Sequence, residues 1–306
     1  KNMNIYFNVE ISVRELDSKL LLGTLAASRG HQVIISDMSG IDRALRKKLI
    51  APGIFHTKCI TPIDEKINFH QAMINNGFLI TSIDEEAGLD MYGYEEFSKT
   101  RYSEQTMRQA SAVFCWGDED VEVLKKVYPN HASKIYKTCS PRVDLWKSDF
   151  LEYWKSPKGT PKKPFLLVPS NMGMSNYNKP FYEFIKFSSS AGYYKRDPKL
   201  FKNHFGCASE DYLKTHSFIE AIRHLSNNND YDIVLRPHPI EDIEAWKVYL
   251  KDIPNVHVIR EGSITPWVNN SFAVMHNGCT TGFEAIVSRK PLITYVPFDL
   301  KFSPTL

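Results

Sequence analysis

The 306-residue chain contains no apolar run approaching the roughly 20 residues that a membrane-spanning helix needs. It shows no tandem repeat of solenoid length and no low-complexity tract beyond one short polar stretch, which argues against a stacked-repeat architecture and against extended disorder. Cysteine is sparse: the five residues, at positions 59, 115, 139, 207 and 279, are scattered, odd in number and form no C-x-x-C pair. That pattern suits reduced thiols in a cytosolic protein and offers neither a disulfide frame nor a zinc site. Excess charge is lacking too, since a net +3 is too small to suggest a nucleic-acid partner. Basic residues do cluster at Arg43–Lys48 and Lys155–Lys163, which leaves room for peripheral contact with an anionic inner-membrane surface. A solvated face explains both clusters more simply. The opening residues enter a strand at once and read as lacking a secretory signal. A start at Lys1 rather than Met, and a stop at Leu306 soon after a strand, read as a piece of something longer.

What is present reads as a soluble α/β protein. Hydrophobic residues make up 42% and charged residues 24%, and the length favours two domains. Strand-like and helix-like segments alternate from the start: Asn4–Val9, Val13–Arg29, Gln32–Ser36, Asp42–Leu49, Gly53–His56, Ile63–Asn75 and Phe78–Ser82. Ser111–Trp116, Asp118–Val127 and Lys134–Lys137 continue the series. In the first helix Val13, Leu16, Leu20, Gly23 and Ala27 recur at steps of three and four, predicting one buried stripe that ends at Gly30. Residues 155–163 have the composition of a linker, which divides the chain into domains 1–154 and 164–306. The second series runs through strands Pro164–Val168, Tyr231–Leu235, Val256–Ile259, Phe272–Met275 and Pro291–Tyr295, with helices Asp211–Leu225, Ile240–Leu250 and Gly282–Ser288. A long aromatic and polar insertion, Ser170 to Glu210, follows its first strand. Such alternation predicts parallel strands joined by crossover helices in two doubly wound, Rossmann-like domains.

Two stretches carry most of the functional signal. Leu235-Arg236-Pro237-His238-Pro239 and His276-Asn277-Gly278-Cys279-Thr280-Thr281-Gly282-Phe283-Glu284-Ala285 each follow an apolar strand and lead into a helix. They therefore sit at strand C-terminal ends, where open α/β sheets bind ligands. Small residues and hydroxyls at a helix start favour a phosphate through unpaired N–H groups and the dipole. A structural reading stands beside each. Thr281 and Glu284 have the spacing of a capping box, the two prolines could merely end a strand, Arg236 could pair with a carboxylate, and His276 could be a core histidine. Asp84-Glu85-Glu86 follows the strand Phe78–Ser82, and adjacent carboxylates can move protons because their repulsion raises a pKa. A helix start enriched in acids is the alternative. Asp118-Glu119-Asp120 opens a helix and reads as capping rather than as a metal site, so no metal is expected.

The His-Pro and His-Asn-Gly-x-Thr-Thr-x-x-Glu-Ala signatures on two Rossmann-like halves resemble GT-B glycosyltransferases. More narrowly, Asn4 to Asp17, Asp84-Glu85-Glu86-Ala87-Gly88 and Ser140-Pro141-Arg142-Val143-Asp144 look like the bacterial surface carbohydrate biosynthesis proteins. The resemblance implies a GT-B fold with two domains facing a central cleft, the second binding the activated donor. It implies a metal-independent glycosyltransferase of capsule, lipopolysaccharide or O-antigen assembly, acting on a glycan or lipid-linked acceptor in the cytoplasm. His238 and Pro239 match the motif with which sialyltransferases and Kdo transferases hold cytidine monophosphate, so a CMP-linked ulosonic acid is the preferred donor, with no other cofactor. Arg236, His276, Asn277, Gly278, Thr280 and Thr281 complete the implied donor site, and Glu284 would accept from ribose hydroxyls. Asp84, Glu85 and Glu86 match an acidic-acidic-Gly motif near the reaction centre, except that Ala87 separates the acids from Gly88. A polyol-phosphate transferase, a sugar-nucleotide 2-epimerase and a non-catalytic sugar-nucleotide-binding subunit are the alternatives.

Overall fold

The computed structural model describes residues 2–87 and 94–302. It contains two compact units, Lys1–Leu145 and Trp146–Leu306. The division falls before the expected boundary at 154, and its physical reason is local. Trp146 is buried, and its carbonyl accepts a 3.1 Å bond from Ser288 Oγ, which ties it to the second unit.

Unit 1 holds strands β1 (Asn4–Asn8), β2 (Gln32–Ser36), β3 (Ile54–Thr57), β4 (Leu79–Ile83), β5 (Ala110–Cys115) and β6 (Ile135–Lys137). They pair in parallel in the order β2-β1-β3-β4-β5-β6. Parallel neighbours cannot be joined by tight turns, which is why helices Ser12–Ser28, Met38–Arg46, Asp64–Asn75 and Asp118–Val127 alternate with them. Tyr6, Phe55, Ile80 and Val113 from adjacent strands meet Phe69, Met73 and Met107 in one apolar core.

The helix Ser12–Ser28 packs differently from its predicted stripe. Val13 and Leu20 are 44% and 43% exposed, whereas Glu15, Ser18, Lys19 and Gly23 are buried. Glu15 and Lys19 face inward because both find opposite charges inside, on Lys58 and Glu85. Gly23 permits close approach, since a Cβ there would lie 3.2 Å from Val33 Cγ1. Gly30 follows the helix with φ +86°, as its position suggested.

Unit 2 holds β7 (Phe165–Pro169), β8 (Asp232–Arg236), β9 (Val256–Val258), β10 (Ala273–His276) and β11 (Leu292–Thr294), all parallel, in the order β11-β10-β7-β8-β9. Both faces of this sheet are covered. Leu166, Val168, Ile233 and Leu235 pack with Phe218 and Trp246 on one side, and Phe165, Leu167, Val234 and Val274 pack with Trp267 on the other. A sheet buried on both faces reads as continuous apolar runs, which is how these strands appear in the sequence.

The predicted insertion is largely helical. Phe181–Ser190 and Tyr193–Arg196 form two helices, and a 27-residue helix, Lys199–Leu225, absorbs the rest. That helix starts well before Asp211 because it runs through Gly206, a poor helix former in general. Here glycine is needed: a Cβ at Gly206 would stand 2.3 Å from Cγ of the Phe302 ring.

Candidate functional site

In each sheet the chain reverses direction between two neighbouring strands, and the loops leaving those strands diverge to open a crevice at their C-terminal ends. In unit 2 the reversal lies between β7 and β10. The loops after β7, β8 and β10 are laced together there. Ser170 N–H donates to Arg236 O at 3.1 Å, Asn171 Nδ2 to Gly278 O at 3.1 Å, and Asn277 Nδ2 back to Asn171 O at 3.2 Å. Both sequence stretches thus meet the same intervening loop, Ser170–Met172.

Glu241, which the sequence reading did not single out, braces this edge. It is fully buried and accepts from Ser170 Oγ at 2.7 Å, Met172 N–H at 2.7 Å and Trp246 Nε1 at 2.6 Å. Burial pushes its pKa up, and the three donors oppose that rise. Its one sequence signal was an acid shortly after the His-Pro pair and just before a helix.

Arg236 is committed to the fold. Its guanidinium donates to the carbonyls of Arg260 (3.1 Å), Glu261 (3.1 Å) and Gly262 (2.7 Å) and lies 5.2 Å from the Trp267 ring centroid. Burial lowers its pKa to about 10, against the pull of Glu261 and Glu284. His238 is half-buried, and its Nδ1 accepts from Ile240 N–H at a long 3.4 Å; Pro239 beside it is exposed. His276 is a core histidine in its contacts: it is 1% exposed, Nε2 meets Thr294 Oγ1 at 2.9 Å, and burial lowers its pKa. Gly282 lies against that ring, where a Cβ would come within 2.4 Å of Cε1.

Asn277 is buried, and Gly278 turns the chain with φ +90°, a conformation that favours glycine. The capping box is not formed. Thr280 holds the N-cap position of helix Thr281–Val287 in a helical conformation, with no side-chain cap bond. Glu284 is 1% exposed in the first turn of that helix.

In unit 1 the reversal lies between β1 and β3, and the adjoining edge is crowded with charge. Asp84 is locked in a two-pronged pair with Arg101, Nε to Oδ2 at 2.7 Å and Nη2 to Oδ1 at 2.8 Å. Glu85 is paired with Lys19 at 2.6 Å, and both side chains are at most 1% exposed. Glu86 alone of the three reaches solvent, its side chain 36% exposed, with Arg101 at 3.0 Å and Arg14 at 3.6 Å. Its partial burial raises the pKa, but Arg101, Arg14, Lys58 and Lys66 outweigh that and hold it below the usual carboxylate value. Gly88 lies outside the described residues.

Glu10, another residue the sequence reading passed over, stands at the same edge. It is 33% exposed and paired with Lys58 at 2.8 Å and Lys66 at 3.3 Å. Burial lifts its pKa, and the two lysines more than offset the rise. Glu10 and Glu86 are therefore two ionised carboxylates at one strand edge. Asp118-Glu119-Asp120 does open a helix, with Asp120 Oδ2 accepting from Trp116 N–H at 3.1 Å. Among the described residues no group of three or more His, Cys, Asp or Glu side chains is placed to hold a metal ion, and no helix is long and apolar enough to cross a membrane.

No protein-family model matches the chain. No curated protein matches it either. Solved structures do. The S. aureus MnaA–UDP structure covers 99% of this chain and 80% of its own, at 12% identity and a TM-score of 0.60. The UDP-GlcNAc 2-epimerase of Neisseria meningitidis bound to UDP-GlcNAc covers 97% and 83%, at 11% identity and a TM-score of 0.51. The wall teichoic acid polymerase TagF with CDPG covers 96% and 70%, at 9% identity and a TM-score of 0.52. At such identities the likeness concerns the fold: this chain is an α/β protein with two parallel, Rossmann-like sheets of the GT-B kind.

Proposed function

We propose that the protein is an enzyme of bacterial surface carbohydrate synthesis acting on a nucleotide-activated sugar, and that its reaction is 2-epimerisation of a UDP-linked sugar. The observation that carries this reading is fold likeness over nearly the whole chain to structures holding UDP or UDP-GlcNAc. It ranks above transfer of a CMP-linked ulosonic acid, which rests on His238 and Pro239 alone. The nucleotide's phosphates would lie against the laced loops of unit 2, with His238, Gly278, Thr280 and Thr281 toward them and Asn277 and Glu284 behind. Arg236 and His276 act there by holding those loops rather than by touching ligand.

Inverting C2 breaks its C–H bond, and because nothing beside C2 stabilises a carbanion, the electron pair must form a C1–C2 double bond as the nucleoside diphosphate leaves C1. The diphosphate then adds back at C1 as a proton is returned to the other face of C2, so one group must take a proton and one must return it. Glu86 is partly open to solvent and, against the raised value expected for adjacent carboxylates and despite its partial burial, its pKa is lowered by the surrounding arginines and lysines. That makes it a weaker base but keeps it ionised and ready to take the proton. Asp84, paired with the partly buried Arg101, and Glu85, paired with the buried Lys19, would position it.

Incubating the protein with UDP-GlcNAc in D2O and following the sugar by NMR tests the proposal. Deuterium at C2 together with the C2 epimer is the expected result; no exchange at saturating substrate rejects it. A thermal-shift comparison of CMP, CDP, UDP and GDP is the second arm, because a ligand that binds only the folded state raises its melting temperature. A response to CMP alone would restore the ulosonic-acid transferase. A second reading, transfer of a sugar or polyol phosphate to a glycan or lipid-linked acceptor, draws on the likeness to the teichoic acid polymerase. Phosphodiester formation from a CDP-polyol would favour it, and nucleotide binding without any turnover would favour a non-catalytic subunit.

A further inference from the structure

The insertion after β7 carries an unusual surface. Between Lys179 and Phe205 the sequence holds eight Phe and Tyr residues and six Lys and Arg residues, against two carboxylates, Glu183 and Asp197. All six cations are exposed. The rings form a connected set rather than scattered singles. Phe181 meets Phe205 at 5.1 Å, Phe205 meets Phe201 at 5.2 Å, and Phe201 meets Tyr194 at 5.3 Å. Yet the linked rings Phe201 and Phe205 are 47% and 48% exposed, and Phe187 and Tyr182, outside that chain of contacts, are 58% and 64% exposed. Single exposed apolar residues need no explanation, but linked ones do.

Helices that show aromatic residues to the outside among lysines and arginines have the composition of segments lying in a membrane interface. There the rings settle at headgroup depth, and the cations meet anionic lipid headgroups. Charge complementarity selects that occupant over an uncharged apolar partner. We propose that the helices Phe181–Ser190 and Lys199–Leu225 dock the protein peripherally on an anionic phospholipid bilayer, through Phe187, Phe201 and Phe205 and the surrounding cations. The docking is independent of the sugar-nucleotide reading, and its test does not involve turnover.

The test is co-sedimentation of the whole protein with vesicles of 70% phosphatidylcholine and 30% phosphatidylglycerol, beside pure phosphatidylcholine vesicles. Binding to the first that is roughly tenfold or more stronger than to the second, and weakened at 1 M salt, is expected. The double substitution Phe201→Ser/Phe205→Ser should weaken it by roughly tenfold or more, as should Lys186→Glu/Lys202→Glu, with unchanged circular dichroism and melting temperature. If the serine variant unfolds, Phe187→Ser serves in its place, since that side chain is more than half exposed. Failure to bind the anionic vesicles, equal binding to neutral ones, or binding indifferent to these substitutions would overturn the proposal. So would concentration-dependent self-association that the serine variant abolishes while vesicle binding is absent, because the patch would then be a contact between copies of the chain.

Discussion

Lys19 and Glu85 meet at 2.6 Å with both side chains almost wholly withdrawn from solvent. The pair joins the helix Ser12–Ser28 to the loop after β4, and it explains why that helix turns a charged face inward. Removing one partner of a buried pair leaves the other charge without compensation, at a cost of about 3–5 kcal/mol, whereas removing both can be nearly neutral. Lys19→Met should therefore lower the urea midpoint sharply, and Lys19→Met/Glu85→Leu should recover most of the loss. Equal loss in the single and double variants would show that the pair is not coupled in this way.

Glu86 and Asp84 should separate in their effects. Glu86→Gln should lower kcat without changing UDP affinity measured by calorimetry, because the change removes a proton acceptor and keeps the shape. Asp84→Asn should instead destabilise the fold, since it breaks the two-pronged pair between buried Asp84 and the partly buried Arg101. Glu86 is held ionised in the folded protein, so the acid limb of the rate profile should lie below the usual glutamate value near 4.5. An acid limb near pH 6 would mean that a different group takes the proton.

His70 gives a pH dependence of stability. It is fully buried against Phe55 and Phe69, neither ring nitrogen has a hydrogen-bond partner among the described residues, and burial lowers its pKa to about 4. The folded value lies below the ordinary 6.5, so the unfolded chain binds the proton more readily. Stability from this site is complete above pH 6.5 and is lost as pH falls toward 4, by an amount on the order of 3 kcal/mol. Urea unfolding of His70→Phe across that range should show a shallower acid loss than the parent protein. Parallel curves would remove His70 from the account.

Gly282→Ala tests the packing behind the loop after β10. The new methyl would have to displace the buried His276 ring, and overpacking of this kind costs about 1–3 kcal/mol. A lower melting temperature together with weaker UDP binding is expected. Unchanged values for both would show that His276 can move away without consequence.

If His238 contacts phosphate, His238→Ala should weaken nucleotide binding by on the order of 1–3 kcal/mol. Isothermal titration with UDP reads this directly, and unchanged affinity would reject the role.

Much of the architecture was legible because parallel strands buried on both faces leave apolar runs that need no partner to be recognised. β7 and β8 are examples. Helix orientation was less legible. In Ser12–Ser28 the apolar spacing pointed to Val13 and Leu20, but the buried face was decided by charges on Lys58 and Glu85, far away in sequence. The first half of the long helix Lys199–Leu225 was not legible, because the reason for Gly206 is a ring at position 302. At the candidate site, motif spacing found the strand-end loops but could not tell which side chains the fold would use for itself. Arg236 and His276 proved to be fastened inside, and Glu241 and Glu10 gained importance only when donors remote in the chain came within reach.

One carboxylate, Glu241, fastens a serine and a backbone amide of the loop Ser170–Met172 together with an indole from the later helix Ile243–Tyr249. Inheritance should treat Ser170, Glu241 and Trp246 as a single trait. A lineage that loses the acid gains nothing by keeping the hydroxyl or the indole nitrogen, and would be expected to replace all three together with apolar groups that need no donor or acceptor.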